Sequence, residues 1–588
     1  MEKKISLETI EKQVDAAALR HYGETFRFRP NQKEAIVNTV FNFLTGNTKD
    51  VILQGPTGSG KSAIGMLVAA VLSEDYEKSG YIVISDLSLI QQYERDCDKF
   101  FKNYAVLKGQ QTYLCNQNGL SFNLGNCKIS GCKSYGDIYN KFPLCASSCE
   151  YLVEREKAMK SDVLVCTYSF WLIQQNLVKP KIEGPAPFDT RDFVICDEAH
   201  KLVGIVQSHF SPSLKETDMG KFRSVVESAS EEDLSVLDDI DRVREKIKYT
   251  EQNDGLLLLL KLYTNSLKVV ADSADTVKRN IADKIEKKEK LSKEDKVLAA
   301  NSDFIYDHFE NFMEYVDIIE KTGIQNIVKN PNGNEIVFNC IDESYLMSKY
   351  FHANCGYKMY MSATIGEPNA YANDVSASNF ISIDIPSTFD FTKSPIFYVN
   401  NYKLSYNEKK YSLPKIVEMV AAVINMYTGK RGIIQTGSYE FAKQLLESIP
   451  NNLKNRIIVY DGSKEKDEAI LAFKNSDDKV LVGPSLIEGL SFDDDLCRFQ
   501  IVMKVPYPSL ADKFVKAKQA LKPEWYSNVT AISILQGVGR GIRNEHDWCV
   551  TFILDGCFSY LMQKSYKMFP QEFLNRIKTI SPSSLGCN

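Results

Sequence analysis

The sequence predicts an α/β protein built on parallel β-sheets. Three segments support this fold class. Residues 50–72, DVILQGPTGSGKSAIGMLVAAVL, and residues 433–442, IIQTGSYEFA, both have the pattern of a short apolar strand, a turn and a helix. Residues 191–200, RDFVICDEAH, form a third apolar strand that ends in carboxylates. Uninterrupted apolar strands that alternate with helices are typical of parallel sheets covered on both faces.

The composition describes an ordinary globular protein of several domains. The chain has 588 residues, of which 44% are hydrophobic and 25% charged. No run of about 18 apolar residues occurs, and residues 1–13 lack the apolar core of a secretory signal. We therefore expect no membrane span and a cytoplasmic, reducing compartment. The net charge of −5 gives no support for nucleic-acid binding, which must be argued from motifs.

The glycine-rich loop after the first strand matches the phosphate-binding pattern G-x-x-x-x-G-K-[ST]. Lys61 is placed to reach the β- and γ-phosphates, and the Ser62 hydroxyl to bind Mg²⁺. A glycine-rich turn without a ligand is the alternative, which the flanking strand and helix argue against. The predicted phosphate-binding residues are Gly55, Pro56, Thr57, Gly58, Ser59, Gly60, Lys61 and Ser62.

Asp197 and Glu198 end the strand of RDFVICDEAH. Ligands bind at the carboxyl ends of parallel strands, so both carboxylates are expected near the loop. There Asp197 would hold Mg²⁺ and Glu198 would polarise the attacking water, while His200 would connect the nucleotide and nucleic-acid sites. A solvated turn is the alternative for this acidic pair.

The segment QGVGRGIRNEHDW, residues 536–548, carries Gln536, Arg540 and Arg543. Residues three and four apart share a helical face, so these side chains can act together. Either arginine would stabilise charge on the transferred phosphoryl group, as an arginine finger does. The alternative is an ordinary helix with exposed arginines.

These motifs stand in a fixed order along the chain. FRPNQ (residues 28–32) precedes the loop, and MSATIG (361–366) and VLVGPSLIEGLSFDD (480–494) follow the DEAH segment. The series resembles superfamily 2 helicases, and DEAH, SATIG, IEGLSF and QGVGRGIR look most like the XPD/DinG branch. The resemblance implies two RecA-like lobes with ATP between them, and nucleotide contacts from Arg29, Gln32 and Gly489. Ser491 departs from the pattern, because many relatives have aspartate there.

The resemblance also implies two insertions in the first lobe. The expected lobe 1 comprises residues 1–105, 151–210 and 346–375; the cysteine-rich iron–sulfur insert is 106–150, the mainly helical Arch-like insert 211–345, and lobe 2 376–588. The Arch stretch has few glycines or prolines and places apolar residues three and four apart. Its alternative is a helical decoration without a direct role.

Five of the 14 cysteines lie between residues 115 and 149. They form no C-x-x-C pair and none of the six histidines lies among them, which argues against a common zinc ribbon. Four thiolates suit a [4Fe–4S] cluster, while zinc or an insert without metal are alternatives. The flanking resemblance selects Cys115, Cys145 and Cys149 as ligands. Cys132 is favoured slightly over Cys127 as the fourth ligand.

The sequence therefore predicts an ATP-dependent DNA helicase that uses ATP and Mg²⁺. The resemblance implies 5′→3′ movement on single-stranded DNA, with forked or tailed duplex DNA as substrate. We expect a monomer, alone or within a repair or replication complex, in a bacterial or phage-infected cytoplasm. An RNA helicase, a protein-stripping translocase and an ATP-binding accessory subunit are the alternatives.

Overall fold

Two seven-stranded parallel sheets and a small antiparallel sheet form the framework of the molecule. The computed structural model describes residues 5–56, 58–85, 87–100, 103–129, 135–179, 188–229, 234–287, 289–387, 389–460, 462–484, 492, 494–539, 541 and 546–587. We call the first sheet with its helices lobe 1 and the second sheet with its helices lobe 2. Both lobes have the parallel architecture that the apolar strands predict.

The sheet of lobe 1 has the strand order β10-β1-β9-β5-β2-β4-β3. Its central strands are buried on both faces, which explains their continuous apolar sequences. The strands are β1 (Asp50–Gln54), β2 (Gly80–Ile84), β3 (Tyr104–Val106), β4 (Val163–Thr167), β5 (Phe193–Asp197), β9 (Tyr357–Ser362) and β10 (Phe380–Asp384). β9 lies between β1 and β5, so a strand that follows the Arch-like insert closes the centre of the sheet.

The boundary predicted between the lobes at residue 375 is wrong. β10 pairs in parallel with β1, and Phe380 lies opposite Asp50. The first lobe therefore extends at least to residue 384. The sequence hid this strand because its residues are only partly buried at the edge of the sheet, and so they lack a continuous apolar run.

Helices cover both faces of this sheet. They are α1 (Leu7–Tyr22), α2 (Gln32–Thr45), α3 (Lys61–Ala70), α4 (Leu87–Phe100), α8 (Glu150–Lys160), α9 (Tyr168–Ile173), α10 (Leu202–His209), α15 (Glu343–Leu346) and α16 (Pro368–Asp374). Ser6 caps α1 and Thr167 caps α9 by accepting a bond from a backbone amide of the first turn. Local capping thus fixes where these helices begin.

Two insertions leave this lobe. The cysteine-rich insert holds the short helices α5 (Asn126–Ile129), α6 (Tyr135–Lys141) and α7 (Pro143–Ser148). The Arch-like insert holds α11 (Asp218–Ala229), α12 (Ser235–Tyr249), α13 (Asn253–Glu286) and α14 (Lys293–Thr322), with an antiparallel sheet of β6 (Ser213–Lys215), β8 (Glu335–Cys340) and β7 (Ile327–Asn332). One hydrophobic core connects lobe 1 with both insertions.

The long helices α13 and α14 pack against each other in the Arch-like insert. A capping box of Ser292 and Asp295 starts α14. The buried stripe of α13 follows the predicted spacing of three and four, and consists of Leu256, Leu260, Tyr263, Leu267, Val270, Ala274, Val277 and Ile281. Among the described residues, no helix is long and apolar enough to span a membrane.

The sheet of lobe 2 has the strand order β13-β14-β12-β15-β16-β11-β17. Its strands are β11 (Ile396–Tyr398), β12 (Gly432–Gln435), β13 (Ile457–Val459), β14 (Val480–Gly483), β15 (Phe499–Val502), β16 (Val550–Ile553) and β17 (Ile577–Thr579). Its helices are α17 (Lys409–Met426), α18 (Tyr439–Ser448), α19 (Asn451–Lys454), α20 (Ser463–Lys474), α21 (Lys513–Leu521), α22 (Pro523–Val538), α23 (Cys557–Ser565) and α24 (Gln571–Asn575). Because every pairing is parallel, the loops after these strands all emerge at one edge of the sheet.

Candidate nucleotide site and cysteine insert

The glycine-rich loop joins β1 to α3 at the carboxyl edge of the first sheet. Gly58 and Gly60 have φ values of 80° and 83°, a left-handed conformation that glycine adopts without strain. The Gly55 amide donates to the Ser362 carbonyl oxygen at 3.1 Å, which fixes the loop to β9. Lys61 Nζ lies over the same loop and donates to the Gly55 carbonyl oxygen at 2.8 Å. The glycine-rich backbone, Lys61 and the N-terminal end of α3 therefore lie together at this edge, an arrangement that favours binding of an anion.

Gln32 supports this loop from α2. Its amide nitrogen donates to the Ser59 carbonyl oxygen at 2.7 Å, and its amide oxygen accepts from the Arg29 backbone amide at 2.8 Å. Gln32 is 4% exposed, and it lies so close to the loop that a side chain at Gly60 would clash with it, because a Cβ there would be 2.3 Å from Gln32 Nε2. Gln32 therefore shapes the loop directly, while the nucleotide contact predicted for it stays a prediction. The Arg29 residue is exposed.

One polar atom of the loop has a vacant hydrogen-bonding capacity. Ser59 Oγ is buried and, within the described part of the chain, no hydrogen-bond partner is found for it. Buried hydroxyls are normally paired, so a phosphate oxygen at this loop would satisfy it. The residues of the loop thus fit the triphosphate group of a nucleoside triphosphate.

Asp197 and Glu198 lie where the carboxyl edge was predicted to place them. Tyr93 Oη of α4 donates to Asp197 Oδ2 at 2.8 Å, and the Glu198 amide donates to Asp197 Oδ1 at 3.0 Å. Burial, and secondarily the negative charge of Glu198, raises the pKa of Asp197 above its usual range. A divalent cation there would favour the ionised carboxylate. Tyr93 is a partner that the sequence did not reveal, because no motif marks it.

A chain of polar contacts leads from Glu198 to lobe 2. His200 Nδ1 lies 3.4 Å from Glu198 Oε2 and 2.8 Å from Ser362 Oγ. Ser362 Oγ accepts from the Thr364 amide at 3.1 Å, and Gln536 Nε2 of lobe 2 donates to Thr364 Oγ1 at 3.2 Å. Glu198 is thus connected through His200 and the SAT segment to the segment that begins at Gln536.

Further contacts join the lobes beside this chain. Gly366 has a φ of 81°, and its amide donates to Gln54 Oε1 at 2.7 Å. A Cβ on Gly366 would lie 2.2 Å from Met568 Cε of lobe 2, and the Glu367 amide donates to Met568 Sδ at 3.3 Å. The SAT segment is therefore packed between both lobes.

A buried ion pair connects α21 of lobe 2 with α15 of lobe 1. Lys518 bonds to Glu343, whose side chain is 1% exposed. Lys522 lies 3.4 Å from both Glu343 Oε2 and Asp374 Oδ1. Burial and the charge of Glu343 raise the pKa of Asp374. Burial alone would lower the pKa of Lys522, but Glu343 and Asp374 hold it above its ordinary value.

Five residues predicted for the sites lie outside the described residues. They are Thr57, Cys132, Gly489, Arg540 and Arg543. Ser491, where the sequence departs from the family pattern, also lies outside them. The roles expected of these residues stay predictions.

In the cysteine insert, Cys115, Cys127 and Cys149 are buried and Cys145 is half-buried. Burial, and then the neighbouring Cys115 and Cys149, raises the pKa of the Cys145 thiol. Burial and Cys115 also contribute to the raised pKa of Cys149, so three of the predicted ligands are close enough to interact. A Cβ on Gly125 would lie 3.2 Å from Cys115 Sγ. Among the described residues, however, no three ligand side chains lie close enough to hold a metal ion.

Comparisons with known proteins agree with this architecture. A family model described as a helicase C-terminal domain matches residues 422–576, and one described as the res subunit of type III restriction enzymes matches residues 25–229. The ATP-dependent DNA helicase XPD of Sulfolobus acidocaldarius is 23% identical over 573 residues, which cover 87% of this chain and 93% of that protein. The ATP-dependent DNA helicase CHL1 of Saccharomyces cerevisiae is 26% identical over 149 residues, which cover 20% of this chain and 17% of CHL1.

The chain thus aligns with less than a fifth of the length of the CHL1 relatives at the top of this comparison. Among solved structures, an XPD helicase matches with a TM-score of 0.65 at 16% identity, covering 95% of this chain and all of that one. The structure of S. tokodaii Xpd4 matches with a TM-score of 0.59 at 14% identity, covering 94% and 100%. These structures confirm the fold of two RecA-like lobes. The chain is therefore similar to XPD-type DNA helicases over most of its length, and it matches a helicase C-terminal domain over residues 422–576.

Proposed function

We propose that this protein is an ATP-dependent DNA helicase that moves along single-stranded DNA in the 5′→3′ direction and unwinds tailed or forked duplexes. The observation that carries the proposal is the contact chain from Glu198 to Gln536, because it joins a hydrolytic carboxylate to the second lobe. The names of the XPD and CHL1 relatives support DNA as the substrate. The polarity follows from the resemblance alone.

The proposed cycle uses the groups of the site in turn. Lys61 and the loop amides bind the phosphates of ATP, and Ser62 and Asp197 would hold Mg²⁺, which would neutralise phosphate charge. Glu198 then accepts the proton of the attacking water, and Arg540 or Arg543 stabilises the charge that develops on the transferred phosphoryl group. Loss of that phosphate changes the environment of His200 and Ser362, and Gln536 transmits the change to lobe 2.

The cysteine insert has a mechanical role in this proposal. Cys115, Cys145 and Cys149 would hold a [4Fe–4S] cluster with Cys132 or Cys127 as the fourth ligand, because thiolates are the expected donors and the flanking sequence resembles the ligand segments of the family. Such a cluster would act as a crosslink that maintains the shape of a small domain. Zinc in the same place, or an insert without metal, is the alternative that metal analysis decides.

The loop assignment is tested by Lys61→Ala. This variant should lose DNA-stimulated ATP hydrolysis because the lysine contacts the transferred phosphate. Lys12→Ala is the control, since the Lys12 side chain is 73% exposed and pairs with Glu8 on the surface of α1. Substantial hydrolysis by Lys61→Ala would contradict the assignment.

Substrate class and polarity are tested by strand displacement. Duplexes with a 5′ tail, a 3′ tail or an RNA strand distinguish the proposed 5′→3′ DNA helicase from an RNA helicase. ATP hydrolysis on single-stranded DNA without displacement of any duplex would instead identify a translocase. Binding of ATP without hydrolysis would identify an accessory subunit.

A further inference from the structure

Lobe 2 carries an exposed group of tyrosines and lysines that the nucleotide site does not use. We call the residues Lys403, Tyr406, Lys409, Lys410 and Tyr411 the tyrosine surface. Tyr406 is 89% exposed and Tyr411 is 79% exposed, the two largest values among the exposed aromatic side chains of the described residues. Large aromatic groups are costly to leave in water, so their clustering calls for a ligand.

The backbone beneath this surface is tightly held. Asp555 is 1% exposed, and its carboxylate accepts from the amides of Leu404 at 3.0 Å, Val505 at 2.9 Å and Cys557 at 3.0 Å. The next residue, Gly556, donates to the Tyr402 carbonyl oxygen at 2.7 Å, and a Cβ there would lie 2.7 Å from the Asn400 oxygen. One carboxylate therefore joins the loops after β11, β15 and β16, and it fixes the backbone at Leu404, two residues before Tyr406.

The charge of the surface is opposite to that of the whole chain. Residues 399–415 contain four lysines and one glutamate, whereas the chain has a net charge of −5. Lys409 Nζ lies 5.9 Å from the Tyr406 ring centroid and 3.9 Å from Glu440 Oε1, so Glu440 partly neutralises it. Lys403 and Lys410 are exposed. Exposed ammonium groups next to exposed rings match a ligand with both phosphates and bases.

The position of the surface also suits an extended ligand. The loop after β11 and the first turn of α17 lie at the carboxyl edge of the second sheet, where ligands of open parallel sheets bind. The positive end of α17 adds to the attraction for phosphate. The loop after β12 reaches the same edge, where Lys504 Nζ lies 4.7 Å from the Phe441 ring centroid.

We propose that Tyr406 and Tyr411 stack on bases of single-stranded nucleic acid, while Lys403 and Lys410 contact its phosphates. The inference rests on the proposed function and assigns a binding surface on lobe 2 to this chain's own residues. Stacking on tyrosine tolerates any base, so the surface should bind strands without sequence preference.

The test compares two double variants in binding to an oligothymidylate and to a strand that contains 2-aminopurine. Tyr406→Ala with Tyr411→Ala should weaken binding by about 25-fold or more, because each lost stack weakens binding by roughly fivefold or more. Tyr406→Phe with Tyr411→Phe keeps both rings and should bind like the wild type. Quenching of 2-aminopurine emission should persist in the phenylalanine variant and decrease in the alanine variant.

Lysine contacts are tested by the salt dependence of binding. Lys410→Gln should reduce the slope of log affinity against log salt by about 0.7, whereas the alanine variant should leave that slope unchanged. DNA-independent ATP hydrolysis and the melting temperature show that each variant is folded.

Three outcomes would overturn the inference. Alanine variants that bind within about twofold of the wild type would exclude stacking as a source of affinity. Equal losses in the phenylalanine and alanine variants would indicate the hydroxyls and not the rings. If the wild type itself binds no single-stranded nucleic acid, the proposed function fails as well, whereas the first two outcomes leave it standing.

Discussion

Replacing Glu343 by glutamine should expose how strongly lobe 2 depends on its contact with lobe 1. Glu343 of lobe 1 forms ion pairs with both Lys518 and Lys522 of lobe 2. The substitution keeps the shape of the side chain and removes its charge. Lys518, whose side chain is 7% exposed, then remains buried without a carboxylate bonded to it.

The magnitude follows from the environment of Lys518. Removing one partner of a buried ion pair costs about 3–5 kcal/mol. Lys518 Nζ also lies 4.2 Å from the Trp525 ring centroid, and a desolvated cation–π contact offsets about 1 kcal/mol of this loss. Lys522 keeps Asp374 at 3.4 Å. We expect a net loss of about 2–4 kcal/mol, which corresponds to about 5–10 °C in the melting temperature of a domain of this size.

The assay is thermal unfolding followed by tryptophan fluorescence, because Trp525 is adjacent to Lys518. Glu343→Gln combined with Lys518→Met should recover most of the stability, since no charge is then buried alone. Glu8→Gln is the control, because Glu8 is 79% exposed in a surface pair with Lys12. A melting temperature unchanged by Glu343→Gln would refute the reasoning, as would a double variant less stable than Glu343→Gln alone.

Four further predictions follow from the sites. Cys149→Ser should spare basal ATP hydrolysis but impair unwinding and lower the iron content from about four per chain. Cys587→Ser, at a similarly buried cysteine of lobe 2, should change neither unwinding nor iron content. A colourless protein that carries one zinc would contradict this prediction. Gln536→Ala should lower kcat of DNA-stimulated hydrolysis about fivefold without changing the KM for ATP, since one hydrogen bond to Thr364 is lost; an unchanged kcat would exclude that contact from coupling. Gly366→Ala should lower the free energy of unfolding by about 1–2 kcal/mol, because its φ of 81° strains a residue with a side chain. Gly429→Ala is the comparison, because Gly429 has a φ of 73° but open space around it, so its loss measures backbone strain without a contact like that of Gly366 with Met568. Asp197→Asn should raise the melting temperature at pH 7 in the absence of nucleotide and Mg²⁺. The pKa of Asp197 is raised in the folded protein, so the ionised carboxylate destabilises the fold above that pKa, and the stability gained by the variant disappears as pH falls toward the unfolded pKa of about 3.9. An equal gain at pH 4 and pH 7 would contradict this origin.

The motifs predicted the parallel fold because the phosphate-binding loop and the DEAH segment each end a strand with a strong local pattern, while the nucleotide contacts expected of them stay predictions. Lys61 and Asp197 lie at the carboxyl edge of one parallel sheet, as the strand assignments required. The two RecA-like lobes are confirmed by the XPD structures. Local sequence carries this information since glycine loops and buried strands depend mostly on neighbouring residues.

Other parts depend on contacts between distant residues and could not be predicted. Tyr93 reaches Asp197 from a different helix, and Gln32 uses its amide on the loop. The edge strand Phe380–Asp384 escaped notice because half-exposed strands have weak patterns. The ion pair of Lys518 and Glu343 joins residues 175 positions apart, and no sequence period marks such a pair.

The position of β9 between β1 and β5 has a consequence for synthesis of the chain. Tyr360 Oη donates to Asp50 Oδ1 across 310 positions, and Ser362 supports Gly55 across the same pair of strands. At about 5–20 residues per second, the ribosome needs roughly 15–60 s to synthesise the chain between Asp50 and Tyr360. During that interval β1 and β5 present unpaired edges, which attract other strands. The nucleotide loop thus receives its support from Ser362 only after the Arch-like insert has been translated.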